Sequence, residues 1–281
     1  LSLASAQTAG TILLVEVKTD MSIKKTLERL VTIRANRIPA WDIAFILDND
    51  DFRVAGGCFM DGLPNDYDVY PAFGNSFNAD RIRKNTIESL KGEVICETKN
   101  AITVKVHGKV IQFCHYYKAT LQELVDSFDF SHCQVGVEFS SRETKDGGIA
   151  TPKIKDIAWF DAWVEYRITR QSTYTGSEYP LSSLIRLNKY VKRDIIKGKS
   201  YTIEVLKILN DIIKRGYTDY RDFKKQLDAV DLLLLEPKEA NAAYELFKTC
   251  HTARLVRKQY QQEELDNGRL DVLEETNNGL R

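Results

Sequence analysis

The stretch VAGGCFMDGLPNDYDVYP, residues 54–71, has two adjacent glycines followed, after eight residues, by two aspartates that flank one tyrosine. Its start predicts a buried strand that runs into a glycine turn, and YDVYP predicts a second strand that ends at proline. Because alternate residues of a strand face the same way, Asp66 and Asp68 are expected to hold their carboxylates side by side. Two such anions repel unless a cation lies between them, and carboxylates suit Mg²⁺.

The glycine pair suits the other half of a phosphate site. Gly56 and Gly57 would let the main chain approach a phosphate closely, and a short helix that begins there would direct its N–H groups at the anion. Gly62 and Pro64 are expected to turn the chain back. The sequence therefore predicts a phosphate contact and a metal-binding carboxylate pair in one cleft.

The composition is that of an ordinary globular protein. Of 281 residues, 43% are hydrophobic and 28% are charged, and 40 Lys and Arg balance 40 Asp and Glu. This excludes a disordered, fibrous or membrane chain, and no net charge points to nucleic acid or lipid. Five scattered cysteines without a C-x-x-C spacing are typical of reduced thiols, which favours a cytoplasmic protein. Residues 1–20 fail the test for a secretory signal and are either a native strand or an artefact ahead of Met21.

The pattern of the chain predicts an α+β protein. We expect a small mixed, mostly antiparallel sheet with flanking helices over residues 21–170, followed by an all-helical domain over 181–281, with the boundary in 171–180. Helices are predicted over 22–36, 39–48, 78–92, 120–128, 157–170, 181–198, 202–216 and 237–268. Strands are predicted over 52–57, 67–71 and 132–139, with two or three more over 93–117.

The helical region carries a local surplus of positive charge. Residues 181–225 contain twelve Lys or Arg against five Asp or Glu. Four of these cations fall on one helical face, namely Arg186, Lys189, Arg193 and Lys197. Two interpretations stay open: a polyanion-binding face, or the solvated side of a helix that packs on the core.

The motifs resemble a known superfamily. VAGG, the short loop and DYDVY are similar to the signature of the polymerase-beta-type nucleotidyltransferases, in which two glycines open a helix and a D-x-D strand carries the metals. GGCFMDG with NDYDVY looks most like the tRNA CCA-adding and poly(A) polymerase branch, where Asp61 matches an acidic position. SFDFSHCQVGVEF resembles the branch's R-R-D-F-T-I-N-A segment, with Asp129 in the place of its aspartate. Phage- and virus-encoded proteins of this type look similar too.

The resemblance implies a fold, an activity and a set of site residues. The fold would be the nucleotidyltransferase fold. The activity would be transfer of an NMP from an NTP to an acceptor hydroxyl with Mg²⁺, or Mn²⁺, and release of pyrophosphate. The acceptor would be the 3′ end of an RNA such as tRNA, held by the helical domain. Asp66 and Asp68 would be catalytic metal ligands, Gly56 and Gly57 would contact phosphate, and Asp61 and Asp129 would lie around the nucleotide. A phage-encoded protein would work in the host cytoplasm.

Three departures from the branch keep other functions open. Met60 replaces the arginine before the first-loop aspartate, and Ser127 and Phe128 replace those before the later one. Gln112 stands where a third carboxylate might be expected. The alternatives are NMP transfer to a protein or small molecule, as in toxin–antitoxin or resistance systems, and a non-catalytic relative that binds nucleotide or a protein partner.

Overall fold

The structure is a computed structural model that describes residues 22–62, 64–74, 77–141 and 150–216, together with residues 222, 225 and 226. The predictions for residues 1–20 and for a helix over 237–268 lie outside the described residues. None of the helices in the described part is long and apolar enough to cross a membrane.

Seven helices and seven strands follow one another in the described chain up to residue 216. The helices are α1 (22–35), α2 (Ala40–Ile46), α3 (Ala79–Lys84), α4 (Leu121–Asp126), α5 (Asp161–Thr169), α6 (Pro180–Lys192) and α7 (Gly198–Arg215). The strands are β1 (Phe52–Ala55), β2 (Tyr67–Pro71), β3 (Glu93–Glu97), β4 (Ala101–Val106), β5 (Lys109–Cys114), β6 (Val135–Ser140) and β7 (Lys153–Trp159). Short 3₁₀ turns cover Gly57–Phe59 and Ser131–Cys133, and α3 continues into a π turn at Asn85–Ser89.

The strands form one sheet in the order β3-β4-β5-β2-β1-β6-β7. The pair β2 and β5 is parallel, and the other five pairs are antiparallel. After β7 the described residues form α5, α6 and α7. The predicted α+β class, with a mixed and mostly antiparallel sheet, is therefore confirmed.

The two faces of the sheet are covered differently. On one face α4 packs Leu121, Leu124 and Val125 against Ala55 and Tyr70. A Cβ at Gly136 of β6 would lie 2.9 Å from Ala55 Cβ and 3.1 Å from Leu121 Cδ1, so only glycine lets α4 come this close. The opposite face builds the main core with the other helices, and its members include Val54, Val69, Phe113, Trp163 and Leu187.

Local sequence signals fix the ends of two helices. The Asn78 side chain caps α3 by accepting a hydrogen bond from the N–H of Arg81 at 3.0 Å. At α4, the Thr120 side chain caps the N–H of Glu123, and the Glu123 carboxylate accepts from the N–H of Thr120, which completes a capping box. The sequence predicts the start of α3 from its asparagine cap.

Three predicted elements are corrected by the structure. The helix predicted over 157–170 begins only at Asp161, because Ile157 and Trp159 belong to β7 and pair with β6. Apolar residues at this spacing satisfy either a strand or a helix, and the neighbouring strand decides. The helix predicted over 181–198 ends at Lys192, and Gly198 instead begins α7. The glycine pair opens one 3₁₀ turn and not an α-helix.

The described residues up to Gly216 belong to one compact unit, and residues 217–281 are grouped as a second. The predicted domain boundary at 171–180 falls inside the first unit. There the N–H of Ser131 donates to the Thr173 carbonyl at 2.9 Å, and the N–H of Thr173 donates to Ser131 Oγ at 3.0 Å.

Candidate functional site

The glycine turn lies directly beside the aspartate strand. Antiparallel pairing of β1 and β2 places Ala55 opposite Asp68. The next residue, Gly56, therefore lies beside the Asp68 carboxylate. Gly56 has a φ of 96°, a conformation that side chains disfavour. A Cβ there would lie 3.4 Å from Asp68 Oδ2. The aspartate strand therefore lies beside the glycine turn, as the sequence predicts.

The two aspartates sit at the start of β2, with Cys58 of the glycine turn beside them. Asp66 precedes the strand and is exposed, whereas Asp68 lies within it and is half-buried. Burial, and then the charges of Asp68 and Asp66, raise the pKa of the Cys58 thiol well above its usual range. Both carboxylates therefore raise the pKa of the same thiol, which stays protonated at neutral pH.

Gln112 of β5 is the neighbour of Asp68 in the sheet. The parallel register of β2 and β5 pairs these two residues, and Gln112 Nε2 donates to Thr103 Oγ1 of β4 at 3.2 Å. This is the position on a central strand where a third carboxylate was sought. The structure thus brings an amide, and not a third acid, to Asp68.

The donor set at this edge fits a hard divalent cation shared with a substrate. In the described part of the chain, no group of three or more His, Cys, Asp or Glu side chains is arranged to hold a metal ion. Mg²⁺ commonly binds through only one or two carboxylates and completes its shell with waters and substrate phosphates. Asp66 and Asp68 form a carboxylate pair of the kind that such an ion uses.

Asp61, four residues after Gly57, is surrounded by arginines from distant elements. It forms ion pairs with Arg34 of α1, with Arg167 of α5 at 3.1 Å, and with Arg170 at the end of α5. Arg34 also donates to the Met60 carbonyl. Three arginines from α1 and the end of α5 thus contact this loop, although residue 60 is Met60 where the resemblance implies an arginine.

Asp129 lies in a closed environment. Its Oδ2 accepts from Ser183 Oγ at 2.7 Å and from Arg186 Nε at 2.9 Å, and Arg186 Nη2 lies 2.7 Å away. The Asp129 side chain is 7% exposed and that of Arg186 is 26% exposed. Both partners belong to α6, so Asp129 ties this helix to the sheet, and its predicted place around the nucleotide stays a prediction.

The four cations predicted on one face of the helical region differ in exposure. Arg186 is engaged by Asp129, whereas Lys189 is half-buried and Arg193 and Lys197 are exposed. α6 ends before Arg193, since Asp194 has a φ of 54°. The predicted face is therefore split between a helix and the turn that follows it.

Sequence reasoning missed the three arginines that contact Asp61. The sequence predicts helices that contain Arg34, Arg167 and Arg170 but assigns no role to these side chains. The only signal for the α5 pair was their spacing of three residues, which places both on one helix face. Nothing in the sequence connects that face with residue 61.

Comparison with known proteins gives one family match and low-identity structural matches. Residues 21–154 match the family described as "Gad2: Gabija anti-defense 2 family protein", over slightly less than half of the chain. Among solved structures, the Thermotoga maritima CCA-adding enzyme complexed with tRNA(CCA) is similar at 12% identity and a TM-score of 0.41, covering 74% of this chain and 51% of that one. A tRNA-processing enzyme, apo form I, is similar at 14% identity and a TM-score of 0.40, covering 67% and 48%. The chain spans about half the length of these two structures. No curated protein sequence matches it.

Proposed function

We propose that the protein is a metal-dependent nucleotidyltransferase that moves an NMP from an NTP to an acceptor hydroxyl and releases pyrophosphate. The observation that carries this proposal is the contact between the glycine turn and the acidic strand. Gly56 adopts a conformation reserved for glycine, and a Cβ on it would lie 3.4 Å from Asp68 Oδ2, so the main chain of the turn lies beside this carboxylate. A phosphate bound at this turn would meet main-chain groups and, through Mg²⁺, the carboxylate pair.

The residues of the chain divide the chemical work. Asp66 and Asp68 would hold Mg²⁺, which supplies charge stabilisation at the transferred phosphoryl group. Hydrogen bonding of β2 between β1 and β5 fixes the position of Asp68. Gln112 can orient a neighbouring group through its amide, but an amide does not accept a proton at neutral pH and cannot act as a base. Cys58 stays a neutral thiol because burial raises its pKa.

We propose RNA, through its 3′ hydroxyl, as the acceptor. The support is the surplus of Lys and Arg over residues 181–225 and the exposure of Arg193 and Lys197 between α6 and α7. Phosphate backbones are held by such cations without sequence readout. RNA binding is then expected to weaken steeply with salt.

The second candidate either changes the acceptor or replaces transfer by binding alone. The similarity of residues 21–154 to the Gabija anti-defense 2 family favours a role against a defence system. In that case the NMP would be transferred to a protein or small molecule, or the fold would act by binding alone. The basic residues of the helical region would then be ordinary surface.

The test is incorporation of each labelled NTP by the full chain, with Mg²⁺ and pooled small RNA. We expect label on RNA with the wild type, and a loss of about 10²–10³-fold in Asp66→Ala, because a metal ligand contributes several kcal/mol to the transition state. Asp80→Ala, which removes an acid that is 92% exposed on α3, is the matched control and should be as active as the wild type.

The distribution of label separates the candidates. Label on protein would establish the second acceptor class and refute the RNA assignment. Absence of label on RNA, protein and small molecules with the wild type would refute nucleotidyl transfer altogether. Equal labelling by the wild type and Asp66→Ala would refute the site.

A further inference from the structure

Three arginines and one aspartate form a cluster beside the glycine loop. We use the term arginine cluster for Arg34, Arg167 and Arg170, which all contact the Asp61 carboxylate. A further arginine, Arg37, is close enough to lower the pKa of Arg34. One carboxylate thus faces three guanidinium groups.

Two of these guanidinium groups are nearly removed from water. The side chain of Arg167 is 9% exposed and that of Arg34 is 11% exposed. The Nε atoms of both are buried without a hydrogen-bond partner. Buried polar atoms are nearly always paired in proteins, and unpaired ones call for a specific explanation. Hydrogen-bonding capacity is therefore left over inside the cluster.

The positive charge of the cluster is under-compensated as well. Burial, followed by the charges of Arg167, Arg37 and Arg170, lowers the pKa of Arg34, and burial lowers the pKa of Arg167. Holding like charges together away from water is unfavourable unless an anion offsets them. Asp61 supplies one negative charge where three positive charges meet.

The cluster is open on the side of Asp61. The side chains of Asp61 and Arg170 are 51% and 50% exposed, in contrast to the two inner arginines. An anion from solution can therefore reach the guanidinium groups by displacing the Asp61 carboxylate or by binding next to it. The planar fork of arginine matches the oxygens of a phosphate with paired hydrogen bonds.

We propose that the arginine cluster is a phosphate-binding site in which Asp61 acts as the internal counter-ion when no phosphate is bound. This inference rests on the proposed function, because the bound phosphate would belong to the NTP or to the RNA backbone. Arg34 holds the Met60 carbonyl together with Asp61. The cluster is thus attached to the loop that begins at Gly57, so a bound phosphate is placed next to the glycine turn.

The experiment measures anion binding without chemistry. The full chain is titrated by calorimetry with inorganic pyrophosphate in EDTA, so that no transfer takes place. We expect Asp61→Asn to bind pyrophosphate severalfold more tightly, because the competing charge is gone. We expect Arg167→Gln to bind about tenfold more weakly, as loss of a charge-assisted contact predicts. Arg83→Gln, on α3 and paired with Glu97 and Asp80, is the control and should bind like the wild type.

A second variant guards against a folding defect. Arg170→Gln changes the half-exposed member at the end of α5 and should also weaken pyrophosphate binding, by severalfold. If Arg170→Gln binds like the wild type and Asp61→Asn binds no more tightly, the cluster is a structural ion pair and the proposal is wrong. Asp66→Ala should keep pyrophosphate binding, so a failure of the proposed transfer reaction is distinguishable from a failure of this site.

The source of the phosphate is read from the same variants. Repeating the titration with ATP and with a short single-stranded RNA shows which ligand loses affinity in Arg170→Gln. A loss for ATP assigns the site to the nucleotide, and a loss for RNA assigns it to the backbone of the acceptor. If ATP and RNA each bind Arg170→Gln as tightly as they bind the wild type, the site binds neither the nucleotide nor the RNA backbone.

Discussion

The start of β2 and the turn before β6 both carry acids, but they surround them differently. Asp66 is exposed at the start of β2, and within the described part of the chain no ion pair joins it to another residue. Asp129 is 7% exposed and is bonded by Arg186 and Ser183. An acid that is open to water can accept a cation from solution, whereas an acid already matched with a buried cation contributes to the fold.

Asp61 lies between these two cases. It is half exposed like an acid at a binding site, yet it faces three arginines like an acid in a structural ion pair. The number and burial of its partners decide the difference. Asp129 meets one arginine and its charge is matched, whereas Asp61 meets several and leaves positive charge unmatched. The surroundings of each carboxylate, and not its position in a motif, therefore separate structural from binding roles.

The largest effect on stability is expected when the buried pair is broken. Asp129→Ala leaves Arg186 without its counter-ion and should lower the free energy of unfolding by about 3 kcal/mol, as for other buried pairs that lose one partner. Urea unfolding monitored by circular dichroism gives the value. Asp80→Ala removes an exposed partner of Arg83 and is expected to change it by less than about 1 kcal/mol.

The same variant tests the alternative role of Asp129. If the free energy of unfolding of Asp129→Ala equals that of the wild type while the KM for NTP rises, Asp129 contacts the nucleotide. The contrast between exposed Asp66 as a binding acid and buried Asp129 as a structural acid would then be wrong.

A smaller effect should separate the two glycines of the turn. Gly56 has a φ of 96° and a Cβ there would be 3.4 Å from Asp68 Oδ2, whereas no atom lies within 4 Å of a Cβ at Gly57. Gly56→Ala should therefore lower the free energy of unfolding by about 1–2 kcal/mol and reduce transfer, because a side chain strains the turn at this φ and the turn contacts Asp68. Gly57→Ala should leave stability unchanged to within about 0.5 kcal/mol.

Activity of the glycine variants sharpens this comparison. Loss of transfer in Gly57→Ala with unchanged thermal unfolding would indicate that a substrate approaches this residue, as predicted for the phosphate. Equal stability of Gly56→Ala and wild type would contradict the strained turn.

The strands around Gly56 were predictable because their signal is local. The strand of residues 52–55, the turn and the strand of residues 67–71 follow one another within twenty residues, and the period of apolar side chains reports them directly. The neighbourhood of Gly56 and Asp68 follows from that pairing alone. Gln112 is indicated only by the family resemblance, as the residue on a following strand where a third acid might stand, and its parallel register with Asp68 comes from the structure.

Contacts between distant segments were not predictable. Asp61 is separated by 106 residues from Arg167 and by 109 from Arg170. Asp129 and Arg186 are 57 residues apart. Periodicity places each side chain on a face of its own element but does not select the element that packs on that face. Arg186 was accordingly assigned to an RNA-binding face, although its guanidinium group is bonded inside the protein.

The smallest expected effect concerns the exposed cations after α6. Arg193→Gln and Lys197→Gln should each weaken RNA binding modestly and reduce the slope of log affinity against log salt by about one, because each removes one phosphate contact. Fluorescence anisotropy with a labelled single-stranded RNA over a salt series measures both quantities, and Lys109→Gln on β5 serves as an exposed control. Arg186→Gln should instead lower stability, since it removes the partner of Asp129. If Arg193→Gln and Lys197→Gln match the control in slope and affinity, these cations are ordinary surface. In that case RNA loses its main support as the acceptor.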